Sequence, residues 1–148
     1  MSAFTLSTAP LDPGALAREL QHPGAGALVV FEGRVRDENE GHVVLSLDYE
    51  AYEKLCLTEG GLIVDQAQAR FGLLAARCVH RTGALQLNEC AVWVGALAGH
   101  RSEAFAACRW IIDEIKQRLP IWKREHYADG TTAWVRCEAH VHDSLPHV

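Results

Sequence analysis

Residues 102–127 read SEAFAACRWIIDEIKQRLPIWKREHY, a helix, a stop and a strand in immediate succession. Phe105, Cys108, Ile112, Ile115 and Leu119 step by three and four, which predicts a helix with one apolar face. Ser102 is the expected N-cap, its hydroxyl accepting from an unpaired N–H of the first turn. Pro120 ends the helix, because its ring disfavours helical geometry at Leu119. Residues 121–127 then read as a strand, and Ala128-Asp129-Gly130 supplies a turn into a second strand at 131–137. A helix that empties directly into a hairpin predicts helices mixed with antiparallel strands.

The flanking sequence agrees. Residues 27–36 and 43–52 are rich in β-branched and aromatic side chains and predict strands. The polar stretch 37–41 between them predicts that the two strands form a hairpin. Residues 53–71 predict a helix, although Gly60 and Gly61 each cost about 1 kcal/mol relative to alanine. Residues 73–82 and 89–97 predict two further strands around Gly83. Before residue 26 only a short helix at 13–21 is expected, with Asp12 as N-cap and Pro13 in the first helical position. The expected fold class is α+β in a single domain over residues 1–148, with a loose polar tail at about 138–148.

The 148 residues are 49% hydrophobic and 22% charged, a globular composition that argues against disorder. No apolar run approaches the length of a membrane span, and no basic-then-apolar leader predicts a signal peptide. Cys56, Cys78, Cys90, Cys108 and Cys137 are odd in number and never spaced Cys-x-x-Cys. They predict reduced thiols in a cytoplasmic protein. Net charge is −5, yet residues 99–127 carry six cations against four anions. One basic segment in an acidic protein fits a small anionic ligand better than nucleic acid.

Within that segment Arg109, Asp113 and Lys116 share a helix side, ordinarily a solvated face with an Asp113–Lys116 pair. Across the Pro120 bend, Lys123 is placed to converge on Lys116. Two ammonium groups 4 Å apart repel by about 4 kcal/mol at an effective dielectric near 20. Convergence therefore implies a bound anion or a lysine with a lowered pKa. His100-Arg101 precedes the helix, where an anion is favoured, and Arg34-Val35-Arg36 ends a strand at a loop. His80-Arg81 and the His140/His142 pair lack a third ligand at a metal-binding spacing, so no metal site is expected. Dinucleotide-binding, P-loop and nucleophile-elbow motifs are absent, and Asp48 and Glu50 read as structural or surface groups.

In order and spacing these pieces resemble the catalytic, or large, subunit of molybdopterin synthase. The resemblance rests on GALVVFEGRVRD at 26–37, LDYEAY at 47–52, HRTG at 80–83 and HRSEAF at 100–105. The most specific element is Lys116 followed by Pro120-Ile121-Trp122-Lys123-Arg124-Glu125. The resemblance implies an α/β hammerhead-type domain with an additional antiparallel β subdomain, paired as a homodimer at the core of a heterotetramer. Its implied partner is a small ubiquitin-like sulfur carrier ending in a Gly-Gly thiocarboxylate. Its implied substrate is cyclic pyranopterin monophosphate, which receives two sulfurs to become the molybdopterin dithiolene, with no bound cofactor.

Carried over by position, Lys116 and Lys123 are the catalytic lysines. Arg34, Val35, Arg36, His100, Arg101, Lys116, Lys123, Arg124 and Glu125 are the substrate-contacting residues. Asn88 departs from the family's usual glycine and Leu55-Cys56 from its usual Met-Ala, both in positions that bear on local packing. Two other readings compete: a platform that docks a β-grasp partner without chemistry, and a lysine-dependent enzyme acting on another phosphorylated metabolite.

Overall fold

A computed structural model describes residues 3–136. The elements run β1 (Phe4–Ser7), α1 (Pro13–Glu19), β2 (Ala27–Arg34), β3 (Glu38–Asn39), β4 (His42–Ala51) and α2 (Glu53–Phe71). They continue with β5 (Ala75–Arg81), β6 (Gly83–Gln86), β7 (Cys90–Ala98), α3 (Arg101–Arg118), β8 (Ile121–Tyr127) and β9 (Thr132–Arg136). One sheet has the order β1-β5-β7-β2, and a second has β3-β4-β8-β9 with β6 also paired to β4. Helix and strand are mixed as the sequence predicts, and the α+β class holds.

Helices α2 and α3 pack on each other and on the first sheet. The α3 stripe buries Ala104, Ala107, Cys108, Ile111, Ile112 and Ile115, while α2 buries Cys56, Gly60, Ile63, Val64 and Ala67. Gly60 is explained by β1: a Cβ there would run into the Phe4 ring, which is itself fully buried. The glycine that weakens the helix on propensity lets a strand pack against it.

Four local expectations are corrected. Residues 27–36 and 43–52 do not pair; β2 runs antiparallel to β7, and β4 belongs to the other sheet. The turn residues between them instead close a two-residue ladder, Glu38↔Val43 and Asn39↔His42. The N-cap of α3 is His100, with no side-chain capping bond, rather than Ser102. Strand β1, absent from the sequence reading, pairs parallel to β5. The segment after Gly83 (φ +90°) leaves the first sheet as β6 and pairs with β4. Asp12 does cap α1, its Oδ1 accepting from the Ala15 N–H at 3.1 Å. Asn88, where the resemblance leads one to expect glycine, has φ +69°, a left-handed geometry that asparagine tolerates. The expected polar tail and Cys137 lie outside the described residues.

Candidate active site

Strand alternation divides β8 between two faces. Ile121, Lys123, Glu125 and Tyr127 face inward, while Trp122, Arg124 and His126 face the other way. On the inner face Glu125 is only 3% exposed. Its carboxylate accepts from Asn39 Nδ2 at 2.9 and 3.1 Å and from the Tyr127 hydroxyl at 2.8 Å. Its Oε2 lies 3.4 Å from Lys123 Nζ. Burial pushes Glu125 upward, but Asn39, Tyr127 and Lys123 outweigh it and hold the carboxyl below its ordinary pKa. The same carboxylate pushes the Tyr127 phenol up to about 12.

Two adjoining cavities open here and share Arg34, Val35, Arg36 and Glu38 in their walls. The larger, about 410 Å³, is completed by Asp37, Leu87 and Asn88. The smaller, about 50 Å³, is completed by Asn39, Leu47, Tyr49, Lys123 and Glu125. Val35 is buried and clamped between two backbone hydrogen bonds, its N–H to Glu89 O at 3.1 Å and its carbonyl from Asn88 N–H at 2.7 Å. Its neighbours Arg34 and Arg36 are consequently held exposed at the cavity edge. Arg34 also donates to Glu32 Oε1 at 2.9 and 3.2 Å.

Lys116 reaches the same neighbourhood from α3. It is half-buried and acts electrostatically on His80 and Cys78. His80 is 1% exposed and packs edge-on to Tyr49 with ring centroids 4.9 Å apart. Tyr49 in turn lies opposite Lys123 in the β4–β8 register and lines the smaller cavity. Lys116 is thus coupled electrostatically to His80, and Lys123 borders its ring partner Tyr49. The Arg81 carbonyl, 2.7 Å from His80 Nδ1, can only accept, so Nδ1 carries the proton and Nε2 keeps a lone pair. Burial, then the Lys116 charge, pull the imidazole down to about 3, so it stays neutral.

The other predicted site residues are not gathered by the single chain. His100 and Arg101 are exposed at the start of α3, fifteen residues before Lys116 and so about 22 Å away along the axis. Arg124 lies over the Trp134 ring, 5.8 Å from its centroid, on the opposite face of β8 from Lys123. Asp113 pairs with Arg109 at 3.8 Å, an exposed pair. Asp48 bonds His126 Nε2 at 2.7 Å, matching its reading as a structural or surface group. Cys56, Cys78 and Cys108 are buried free thiols, and burial pushes all three upward. Among the described residues no three His, Cys, Asp or Glu side chains gather as a metal would need, and no helix is long and apolar enough to cross a membrane.

Sequence reasoning missed Asn39, Tyr127, Tyr49 and His80 as site components. Tyr127 had a usable signal, since it stands two residues beyond Glu125 and four beyond Lys123 on one strand face. Asn39 had none, because only the hairpin β3–β4 brings it across to β8.

Comparison with known proteins fixes the family. Residues 6–118 match the family model described as MoaE protein. The chain belongs to the MoaE family. A MoaE relative from Thermoplasma volcanium, named molybdopterin synthase catalytic subunit, is 42% identical over 84% of this chain and 89% of its own. A molybdopterin synthase structure from Staphylococcus aureus superposes with a TM-score of 0.85 at 30% identity, covering 91% of this chain and 98% of that one. The fold is shared at 20% identity with a chain from a Helicobacter pylori complex of subunits 1 and 2 of molybdopterin-converting factor (TM-score 0.76, 98% and 99% covered). This MoaE chain is accordingly a molybdopterin synthase catalytic subunit, a sulfur-transferring enzyme of molybdenum cofactor biosynthesis.

Proposed function

We propose that the Arg34–Arg36 edge, Lys123 and Lys116 form the site at which sulfur passes from a carrier's C-terminal thiocarboxylate to cyclic pyranopterin monophosphate. The observation that carries this reading is the pair of adjoining cavities with cations on their walls in a protein of net charge −5. Both reactants are anions, and Arg34 and Arg36 present planar forks suited to a phosphate. Lys116, in the last turn of α3 where the helix carbonyls favour a cation, sits near the carrier's terminal carbonyl and stabilises the negative charge that develops on its oxygen as the carbon–sulfur bond breaks. Lys123 holds substrate or assists proton transfer. Val35 contributes through its clamped backbone, and Glu125 through the lysine beside it.

His100 and Arg101 fit this reading when supplied by a second copy of the chain, since their own copy holds them about a helix length from the cavity. The assembly proposed is a homodimer core carrying two copies of the small ubiquitin-like subunit, acting in the cytoplasm with reduced thiols. Retention of both Lys116 and Lys123 favours catalysis over a docking platform. The test is purified protein mixed with thiocarboxylated carrier and cyclic pyranopterin monophosphate, with dithiolene formation followed in a single turnover. Arg36→Ala is expected to raise KM for the pterin with kcat little changed, the signature of lost ground-state binding. A lowered kcat at unchanged KM would assign Arg36 to the reacting bond instead.

A further inference from the structure

The Glu125 carboxylate is surrounded by more donors than an ion pair with Lys123 requires. Asn39 Nδ2 spans both oxygens at 2.9 and 3.1 Å, and the Tyr127 hydroxyl takes Oε1 at 2.8 Å. Lys123 meets Oε2 at 3.4 Å. A carboxylate able to accept about four hydrogen bonds is thereby fixed in orientation by neutral groups on one side. The remaining edge of Oε2 is directed at the ammonium. The group is 3% exposed, so water does not supply an alternative set of partners freely. Lys123, by contrast, keeps 26% of its side chain exposed and lines the smaller cavity.

The donors come from separate places. Tyr127 closes the inner face of β8, and its ring stacks on His42 at 4.6 Å. Asn39 belongs to the hairpin that follows the Arg34–Arg36 edge, 86 residues before Glu125 in the chain. Beyond the β4–β8 ladder, the tip of that hairpin is held by the His42–Tyr127 stack and by the bond from the Ala128 N–H, just past β8, to Val43 O at 2.8 Å. One carboxylate therefore joins the loop that carries Arg36 to the strand that carries Lys123.

We propose that Asn39 and Tyr127 are positioning residues for Lys123, acting through the Glu125 carboxylate. The inference rests on the reading of Lys123 as a site lysine given above, and it extends that reading to two residues that touch no reacting atom. Flexible lysine side chains lose much rotamer freedom when held in place. An oriented carboxylate at the strand position two residues away provides that restraint. A carboxylate free to turn does not.

Chemical labelling of lysine tests this directly, because the chain has only three lysines, Lys54, Lys116 and Lys123. Asn39→Ala and Tyr127→Phe keep both members of the ion pair, and Tyr127→Phe also keeps the ring that stacks on His42. Acetylation by an activated ester, read residue by residue by mass spectrometry, is expected to speed up about fivefold at Lys123 in each variant, the scale of one ordinary net hydrogen bond. Lys54 is expected to be unchanged. Single-turnover sulfur transfer is expected to slow by about tenfold, while in a Lys123→Ala background the same substitutions change the rate by less than about twofold. Unchanged Lys123 labelling, a rise shared by Lys54, or a loss of transfer that persists without Lys123 would each overturn the proposal. Wild-type transfer by Lys123→Ala alone would instead remove the catalytic reading of Lys123, and the labelling ratio would still decide whether Asn39 and Tyr127 position it.

Discussion

Two ion pairs in this molecule are built as mirror images. Arg81–Glu89 closes at 2.7 Å, with the arginine side chain 4% exposed and the carboxylate 27%. Lys123–Glu125 sits at 3.4 Å, with the lysine 26% exposed and the carboxylate 4%. In the first the cation is inside, and its Nη2 reaches the Thr8 and Ala84 carbonyls at 3.3 Å each, while its Nε is buried without a partner. That guanidinium ties the end of β1, β5, β6 and the 86–89 turn together and lines neither cavity. In the second the carboxylate is inside, held by neutral donors, and the cation faces a cavity. Burying the cation makes the first pair a tie between strands; burying the carboxylate leaves the second cation at a cavity wall, where the proposed site requires it.

The largest expected effect breaks the functional side of this contrast. Lys116→Ala should lower the single-turnover rate of sulfur transfer by about 10²–10³, the usual cost of one donor aimed at developing charge. Carrier affinity should survive, because most docking area comes from the carrier's body rather than its tail. Lys116→Arg should restore little, since a planar fork does not replace a point charge in a narrow channel. Near-normal transfer by Lys116→Ala would remove its catalytic role and leave Lys123 as the only candidate.

Arg81→Met is the complementary break. It leaves two carbonyls and the Glu89 carboxylate without their donor, which should cost about 2–3 kcal/mol in a denaturant titration. Well below the unfolding midpoint kcat should remain within about twofold, since no Arg81 atom lines either cavity. A large loss of kcat in the folded variant would erase the distinction between the two pairs.

Acid titration sharpens it further. An unfolded histidine binds its proton near 6.5, whereas His80 in the fold, buried against Tyr49 and near Lys116, does so only near 3. Between those values the unfolded state holds more protons, so stability must fall as pH drops, by up to about 1.4 kcal/mol per unit. Glu89 and Glu125 are both held below their ordinary pKa, Glu89 mainly by the Gln86 N–H. Their stabilisation is present above the unfolded carboxylate range and disappears as pH falls through the lowered values. His80→Gln, which retains a donor for the Arg81 carbonyl, should flatten the slope between pH 6.5 and the onset of carboxylate titration. An unchanged slope would mean that His80 titrates normally.

Legibility in the sequence followed the range of the interactions. The α3 stripe and the Pro120 stop are local, and α3 with β8 lies where the spacing puts them. The β8–β9 turn is local too, with Gly130 at φ +88° and Asp129 Oδ1 accepting from the Thr131 N–H as that turn chemistry predicts. Pairing is not local. Residues 27–36 have strand composition whichever partner they take, and only tertiary packing sends them to β7 instead of residues 43–52. Strand β1 is four residues long, and the feature that marks it is a glycine in a distant helix. At the site, lysines and arginines announced themselves by charge. Asn39 and Tyr127 are ordinary hairpin and strand residues until Glu125 is seen between them. Alternation along β8 is also local, and it separates Lys123 from Arg124 as well as joining Lys123 to Tyr127.

That separation gives the smallest prediction. The family resemblance places Arg124 among the substrate-contacting residues through the Lys123-Arg124-Glu125 run, yet strand geometry turns it to the outer face. There its guanidinium lies over Trp134, 5.8 Å from the ring centroid, and the cross-strand register places it between Asp48 and Trp134. A cation over an exposed indole contributes about 0.5–1 kcal/mol, and Trp134 is 51% exposed. Arg124→Ala should therefore cost a fraction of a kilocalorie in stability and change KM for the pterin by less than about twofold, the range of an ordinary surface substitution. Steady-state kinetics beside Arg36→Ala provides the comparison, because the two arginines carry the same charge and differ in which face they occupy. Equal rises in KM for both would show that substrate is bound through the overall positive field of the segment. A rise for Arg36→Ala alone would show that it is bound through the cavity wall.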